Sequence, residues 1–160
     1  LWGGELSVTH RLAETRSVWA SLGRGFRAGG FNIGTSVPED RQQFAPEYLW
    51  SVEAGWKGRS ESGRSRADLN AFYARREHLQ VATSLQLDPA DPLTFIFLTD
   101  NAASGEAFGI ESSAALLLGE RVTLEAMLSW MDSEFHGYRF GERDLEGREF
   151  AHAPQWKAAL

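Results

Sequence analysis

The residues between Gly23 and Asn32, GRGFRAGGFN, combine glycines with two arginines and two phenylalanines, and three chemistries use such a set. A dinucleotide cradle needs a strand before its G-x-G, a helix opening on it and an acidic residue about 20 positions later. FNIGTSVPEDRQQ, the continuation, starts no helix. An Arg-Gly patch for RNA needs a basic surface, whereas the formal net charge is -6, so no nucleic-acid partner is expected. The end of a membrane strand remains. His10, His78, His136 and His152 are scattered, with none at ligand spacing from another His, so no metal and no cofactor is expected. DSEFHGYRFGERDLEGRE at 132–149 holds six acidic residues and reads as a solvated loop rather than a general-acid pair. Ser21, Ser112 and Ser113 have no G-x-S-x-G context, so catalytic residues are expected to be none and the chain is not read as an enzyme.

The elements that must position these residues follow from periodicity. In EYLWSVEAGWK, Tyr48, Trp50, Val52, Ala54 and Trp56 fall on one face and Glu47, Ser51, Glu53, Gly55 and Lys57 on the other, with Leu49 the exception. A helix would mix the two sets, so the segment is a strand. RVTLEAMLSWMD repeats the pattern, with Val122, Leu124, Ala126, Leu128 and Trp130 on one face, spoiled by Met127 and Met131. About eight strands are expected, at 4–12, 17–26, 46–58, 65–83, 93–100, 105–117, 121–135 and 146–160. Short turns at 13–16, 60–64 and 118–121 alternate with long links at 27–45, 84–93 and 134–145, the asymmetry of an outer-membrane barrel.

Composition supports this architecture. The 160 residues include six Trp, ten Phe and three Tyr, the residues that collect at membrane interfaces. Cysteine is absent, which removes any disulfide framework. Apolar runs such as FIFL at 95–98 fall far short of the roughly 20 residues of a spanning helix. Trp19, Trp50, Trp56 and Trp130 are expected near strand ends or along apolar faces. The sequence opens at Leu1 with no Met and no signal-like segment and closes at Leu160 in mid-pattern, and both ends are read as cut from a longer protein.

Five blocks in series carry a family resemblance: VWASLGRGFRAGGFN, FAPEYLWSVEAGWKG, LNAFYARREHLQV, NAASGEAFGIESSAALLL and LEGREFAHAPQW. In this order they resemble the C-terminal part of the barrel of a TonB-dependent outer-membrane receptor. The resemblance assigns Gly25, Phe26, Gly29, Gly30, Phe31 and Asn32 to a glycine-phenylalanine stretch, Pro46 and Glu47 to a strand opener, and Gly55 and Lys57 to its tail. Asn101, Ala102, Gly109, Ile110 and Glu111 match the next pair of blocks, and Ala153 with Pro154 the last. These positions mark the fold rather than the solute. Gly25, Gly29 and Gly30 are expected in backbone conformations that other residues avoid, with Arg24 and Arg27 at lipid headgroup level.

The resemblance implies an all-β, antiparallel transmembrane barrel segment over residues 1–160, without the plug domain, the TonB-contacting segment or the final strand. It implies active uptake of a scarce solute, most commonly a ferric siderophore, with cobalamin or oligosaccharide next. Its partners would be outer-membrane lipid, a small-molecule or metal-chelate solute, and the TonB complex through the absent N-terminal part. A charge facing lipid near the midplane costs about 2–4 kcal/mol. Glu47, Ser51, Glu53, Lys57 and Glu111 are therefore expected to face the lumen, and Tyr48, Trp50, Val52, Ala54, Trp56, Leu124, Leu128 and Trp130 the lipid. Alternation alone also fits a soluble or surface β-sandwich binding module with its faces reversed, or a small complete barrel of lytic or structural function.

Overall fold

The computed structural model of the chain describes residues 1–140 and 143–160. Seven strands make one antiparallel sheet: β1 (Gly4–Ala13), β2 (Arg16–Arg27), β5 (Glu47–Arg59), β6 (Ser65–Gln86), β7 (Phe95–Leu118), β8 (Val122–His136) and β11 (Trp156–Ala159), paired in that order. Two-residue strands decorate the long connections, β3 (Gly30–Phe31) with β4 (Gln43–Phe44) and β9 (Arg139–Phe140) with β10 (Arg143–Asp144). A 3-10 turn occupies Glu39–Arg41.

The register carries the alternation seen in β5 across the whole sheet. Ala20, Ala54, Ala71, Ile110, Trp130 and Trp156 are successive cross-strand partners from β2 to β11. The adjacent row, Trp19, Gly55, Asn70, Glu111, Ser129 and Lys157, belongs to the opposite face. Because the side-chain period is two, a slip of one residue would exchange these faces, so the apolar set fixes the register. One face thus carries Leu22, Val52, Tyr73 and Phe108, and the other Glu53, Lys57, Asp68 and Ser113.

Nothing among the described residues covers the apolar face. Among the described residues the buried apolar ones are Val37, Leu98 and Ala107, of which Val37 lies in the β2–β5 connection and Ala107 on the opposite face, while on the apolar face Leu6 is 69% exposed, Val52 50% and Leu128 50%. A water-soluble sandwich would bury that face under a second sheet. No second layer exists among the described residues, so the sandwich expectation fails. The small complete barrel fails as well, since β1 and β11 do not pair with each other and the sheet stays open.

The strand count differs from expectation in one place. The segments expected at 93–100 and 105–117 are one strand, β7, of 24 residues, paired with the 22-residue β6. Both far exceed the 9–11 residues of a tilted membrane strand, so the hairpin extends well beyond its neighbours on the long-loop side. Register shifts between Arg76 and Leu79 and between Leu79 and Gln80 mark a β-bulge, at which His78 takes a φ of 55°. The expected strand at 146–160 forms only over Trp156–Ala159. Before it the chain detours along β8, where Phe135 donates its N–H to the Arg148 carbonyl and Met131 its N–H to that of Gln155.

Candidate functional site

The long-loop end of the sheet is organised by polar side chains acting on backbone. Glu47 opens β5 and is buried; its Oε1 lies 3.3 Å from an Arg76 guanidinium nitrogen, and its Oε2 accepts the Gln80 N–H at 3.0 Å. Gln80 Nε2 donates in turn to the carbonyls of Ala28 at 2.9 Å and Ala45 at 3.0 Å, the two ends of the β2–β5 connection. Asn101 makes an amide pair with Ala45, accepting its N–H and donating to its carbonyl, and also donates to the His78 carbonyl at 2.8 Å. Asn32 repeats the device on Thr99, with both bonds at 2.8 Å, and Arg41 closes the set on Asp100 at 2.7 Å. The connection between β2 and β5 is thereby latched to the projecting β6–β7 hairpin.

Glycine matters here through space rather than torsion. A Cβ on Gly29 would lie 2.4 Å from the Phe44 carbonyl oxygen, and one on Gly30 would lie 2.8 Å from the Phe44 ring. Neither residue has a positive φ, and Gly25 has only Leu49 Cβ at 3.9 Å. The expectation of unusual backbone conformations at Gly25, Gly29 and Gly30 is therefore corrected: two of them permit close packing, and nothing nearby requires the third.

The apolar face ends at this side in an aromatic row. Phe108 and Trp130 meet edge-on at 5.6 Å, and Trp130 lies 6.4 Å from Trp156. Arg24 occupies the same face, its guanidinium 4.1 Å from the Trp2 ring centre and 4.4 Å from that of Tyr48. Such stacking holds a cation against rings while its stem lies along apolar surface. Trp19 stands near the start of β2, as expected, but off the apolar face. Its neighbours Val18 and Ala20 take the apolar face, so Trp19 lies on the polar one, over Gly55, where a Cβ would meet its ring nitrogen at 2.5 Å.

Beyond Phe108 and Trp130 the same face turns ionisable, which places Glu106, Glu134 and His136 outside the apolar band. His136 Nε2 lies 2.9 Å from Glu106 Oε1 and 3.3 Å from Glu134 Oε1, and its Nδ1 lies 3.5 Å from Glu146. Tyr73 donates its hydroxyl to the second oxygen of Glu106. The hydrogen bond to Glu106 raises the His136 pKa above that of a free imidazole, while the bonds from Tyr73 and then His136 lower that of Glu106. On the opposite face at this end, Phe135 stacks 4.6 Å from Phe150 and 5.0 Å from Tyr138, with Phe150 over Gly105. His–His spacing does not reveal the ionisable cluster, which holds one His. Its signal was Glu134-x-His136, an i, i+2 pair that a strand presents on one face.

Residues 2–160 match the family model described as TonB dependent receptor-like, beta-barrel. The chain belongs to this family. TonB-dependent receptors are Gram-negative outer-membrane proteins and not enzymes, so the expectations of location and class hold. Among solved structures, the ferric yersiniabactin uptake receptor FyuA from Yersinia pestis has a TM-score of 0.74 at 18% identity, covering 98% of this chain and 22% of that one. The ferripyoverdine receptor of the outer membrane of Pseudomonas aeruginosa gives 0.67 at 17% identity, covering 98% and 19%. The copper transporter OprC gives 0.66 at 14%, covering 98% and 23%. The chain thus spans about a fifth of the length of these TonB-dependent receptors.

The family-motif residues divide by what they touch. Asn32, Glu47 and Asn101 build the latch, Gly29 and Gly30 permit its packing, and Pro46 lies between the latched Ala45 and Glu47 at the start of β5. Phe31 is 68% exposed and Phe26 45%. Gly55 receives Trp19, Gly109 receives Phe72, and Ile110 and Glu111 stand on opposite faces of β7. Lys57 lies 6.0 Å from the Trp19 ring, on the face of Ser51 and Glu53. Pro154 precedes β11 and cannot donate to the ladder. Ala102 belongs to β7, and its side chain lies outside the described residues, as do Gly141 and Glu142 of the link expected at 134–145.

Proposed function

We propose that this chain is part of the barrel of an outer-membrane receptor that takes up a scarce solute, most commonly a ferric siderophore, with energy delivered by the TonB system through a plug encoded elsewhere in the protein. The observation that carries the reading is the sheet itself, one layer thick, with a continuous apolar face bare on one side and a polar face on the other. In lipid, with the edges β1 and β11 paired by the rest of a closed barrel, this arrangement satisfies the backbone groups between strands and needs no core.

On this reading Tyr48, Trp50, Val52, Ala54, Trp56, Leu124, Leu128 and Trp130 meet lipid, and Glu47, Ser51, Glu53, Lys57 and Glu111 belong to the lumen face. The connections between β2 and β5, β6 and β7, and β8 and β11 contribute to the solute site, since loops on a rigid scaffold carry specificity. Phe135, Tyr138 and Phe150 give the lumen side of the mouth an aromatic platform. The names of FyuA and the ferripyoverdine receptor favour a ferric chelate, and that of OprC keeps a metal solute in view.

The test is growth of the source bacterium lacking the receptor gene, on ferric siderophores, cobalamin, oligosaccharide or copper as the limiting nutrient. Loss of one nutrient, restored by the whole gene and abolished again without a functional TonB system, supports the proposal. Unchanged growth and uptake on every nutrient would overturn it.

A further inference from the structure

Glu106, Glu134 and His136 sit where no part of the transport reading uses them, on the face opposite the proposed lumen and above the aromatic row. Each offers one ligand atom, and the three atoms lie within 4.8 Å of one another. Three arms of a tetrahedral site with bonds of about 2.0–2.1 Å have their tips about 3.3 Å apart. The observed His136 Nε2 separations of 2.9 Å from Glu106 and 3.3 Å from Glu134 are already near that spacing.

The surroundings are those of a supported ligand set. Glu146 faces Nδ1 of His136, the ring nitrogen not directed at the other two carboxylates, and accepts the Gly137 N–H. Metal-bound imidazoles commonly give their second N–H to such a carboxylate, which fixes the tautomer and leaves the other nitrogen to coordinate. Tyr73 holds the second oxygen of Glu106, turning the first toward His136. The three ligands come from two hydrogen-bonded strands, since Glu106 is the direct partner of Glu134 and Ser104 that of His136. Their side chains are 29%, 50% and 38% exposed, so an ion can enter from solution.

We infer that Glu106, Glu134 and His136 form a binding site for one divalent transition-metal ion, backed by Glu146 and Tyr73, on the outward, extracellular side of the sheet. A nitrogen donor beside two carboxylates suits zinc and its neighbours rather than calcium or magnesium, which prefer oxygen throughout. The bound ion would tie the β8–β11 connection, through Glu146, to β7 and β8.

The experiment uses the whole receptor, purified in detergent, stripped with EDTA and dialysed against zinc chloride. Wild-type receptor should bind one more zinc per molecule than H136Q, which removes the ring nitrogen, or E134Q, which keeps the shape of its residue. E146Q should keep the stoichiometry with affinity weakened about 10–100-fold, and H10A, in β1, should match wild type. Hydrogen exchange of 145–155 should slow with zinc in the wild type and in H10A, and not in H136Q or E134Q. Heat-modifiable migration on a gel reports which variants are folded. A folded H136Q receptor with undiminished zinc stoichiometry and affinity overturns the site, as does equal competition by calcium. Siderophore uptake reports separately on the transport reading, so the two can fail independently.

Discussion

Asn101 of β7 reaches across to β6 and takes the carbonyl of His78 at 2.8 Å, at the residue where the bulge holds a left-handed backbone with φ of 55°. The bulge removes that carbonyl from the strand ladder, and the asparagine amide returns a donor to it. The same side chain pairs with both polar backbone groups of Ala45, so one residue joins the kink in the hairpin to the end of the β2–β5 connection.

Replacing Asn101 with Ala should therefore free the connection without disturbing the sheet below it. Three hydrogen bonds go at once, and the expected cost is about 1–3 kcal/mol of local opening energy. Hydrogen exchange in the whole receptor should show faster exchange at 28–46 and unchanged exchange at 50–57. Equal acceleration of both segments would mean that the latch also holds the sheet.

The backbone at His78 makes a second, opposite prediction. A left-handed conformation costs an ordinary L-residue about 1–2 kcal/mol, and least for glycine. H78G should leave receptor stability unchanged or raised, apart from the loss of the ring's contact with Tyr48 at 6.5 Å, while H78V should lower it by more than that amount. The temperature at which gel migration changes should therefore fall for H78V and stay level or rise for H78G.

Gly29 and Gly25 separate space from torsion. G29A sets a methyl group against the Phe44 carbonyl oxygen and should cost about 1–3 kcal/mol through displacement of the connection. G25A meets only Leu49 Cβ at 3.9 Å and should be tolerated. Protease nicking between 28 and 46 should rise for the first and stay at the wild-type rate for the second.

The strands themselves were legible because side-chain parity survives translation into register: Tyr48 to Trp56 share a face in the fold as they do in the sequence. Parity also explains the failures. The bulge at 76–80 breaks the alternation, and TDNAASG opposite it reads as a turn, so β7 looked like two strands. Trp19, expected near a strand end or along an apolar face, stands near the start of β2 on the polar face, the side that its neighbours Val18 and Ala20 leave to it. The latch was visible only as motif positions, since Asn32, Glu47 and Asn101 act on backbone groups up to 67 positions away. The metal-type cluster needed the Glu106–Glu134 pairing, which no local pattern reveals.

Adjacent residues of β5 test which face meets lipid. Val52 pairs with Leu22 and Tyr73, in the apolar sheet face between Trp50 and Trp56, whereas Ser51 pairs with Gly23 and Ala74 on the other side. If that apolar face is outward, arginine at 52 must place its charge in hydrocarbon or snorkel away, at about 2–4 kcal/mol near the midplane. Arginine at 51 enters a polar lumen and costs far less. V52R should therefore lower the amount of heat-modifiable receptor in the outer membrane and its resistance to urea in vesicles, while S51R stays near wild type. Because the two positions are neighbours in sequence and share both flanking strands, a reversed order could arise only if the faces are assigned the wrong way round.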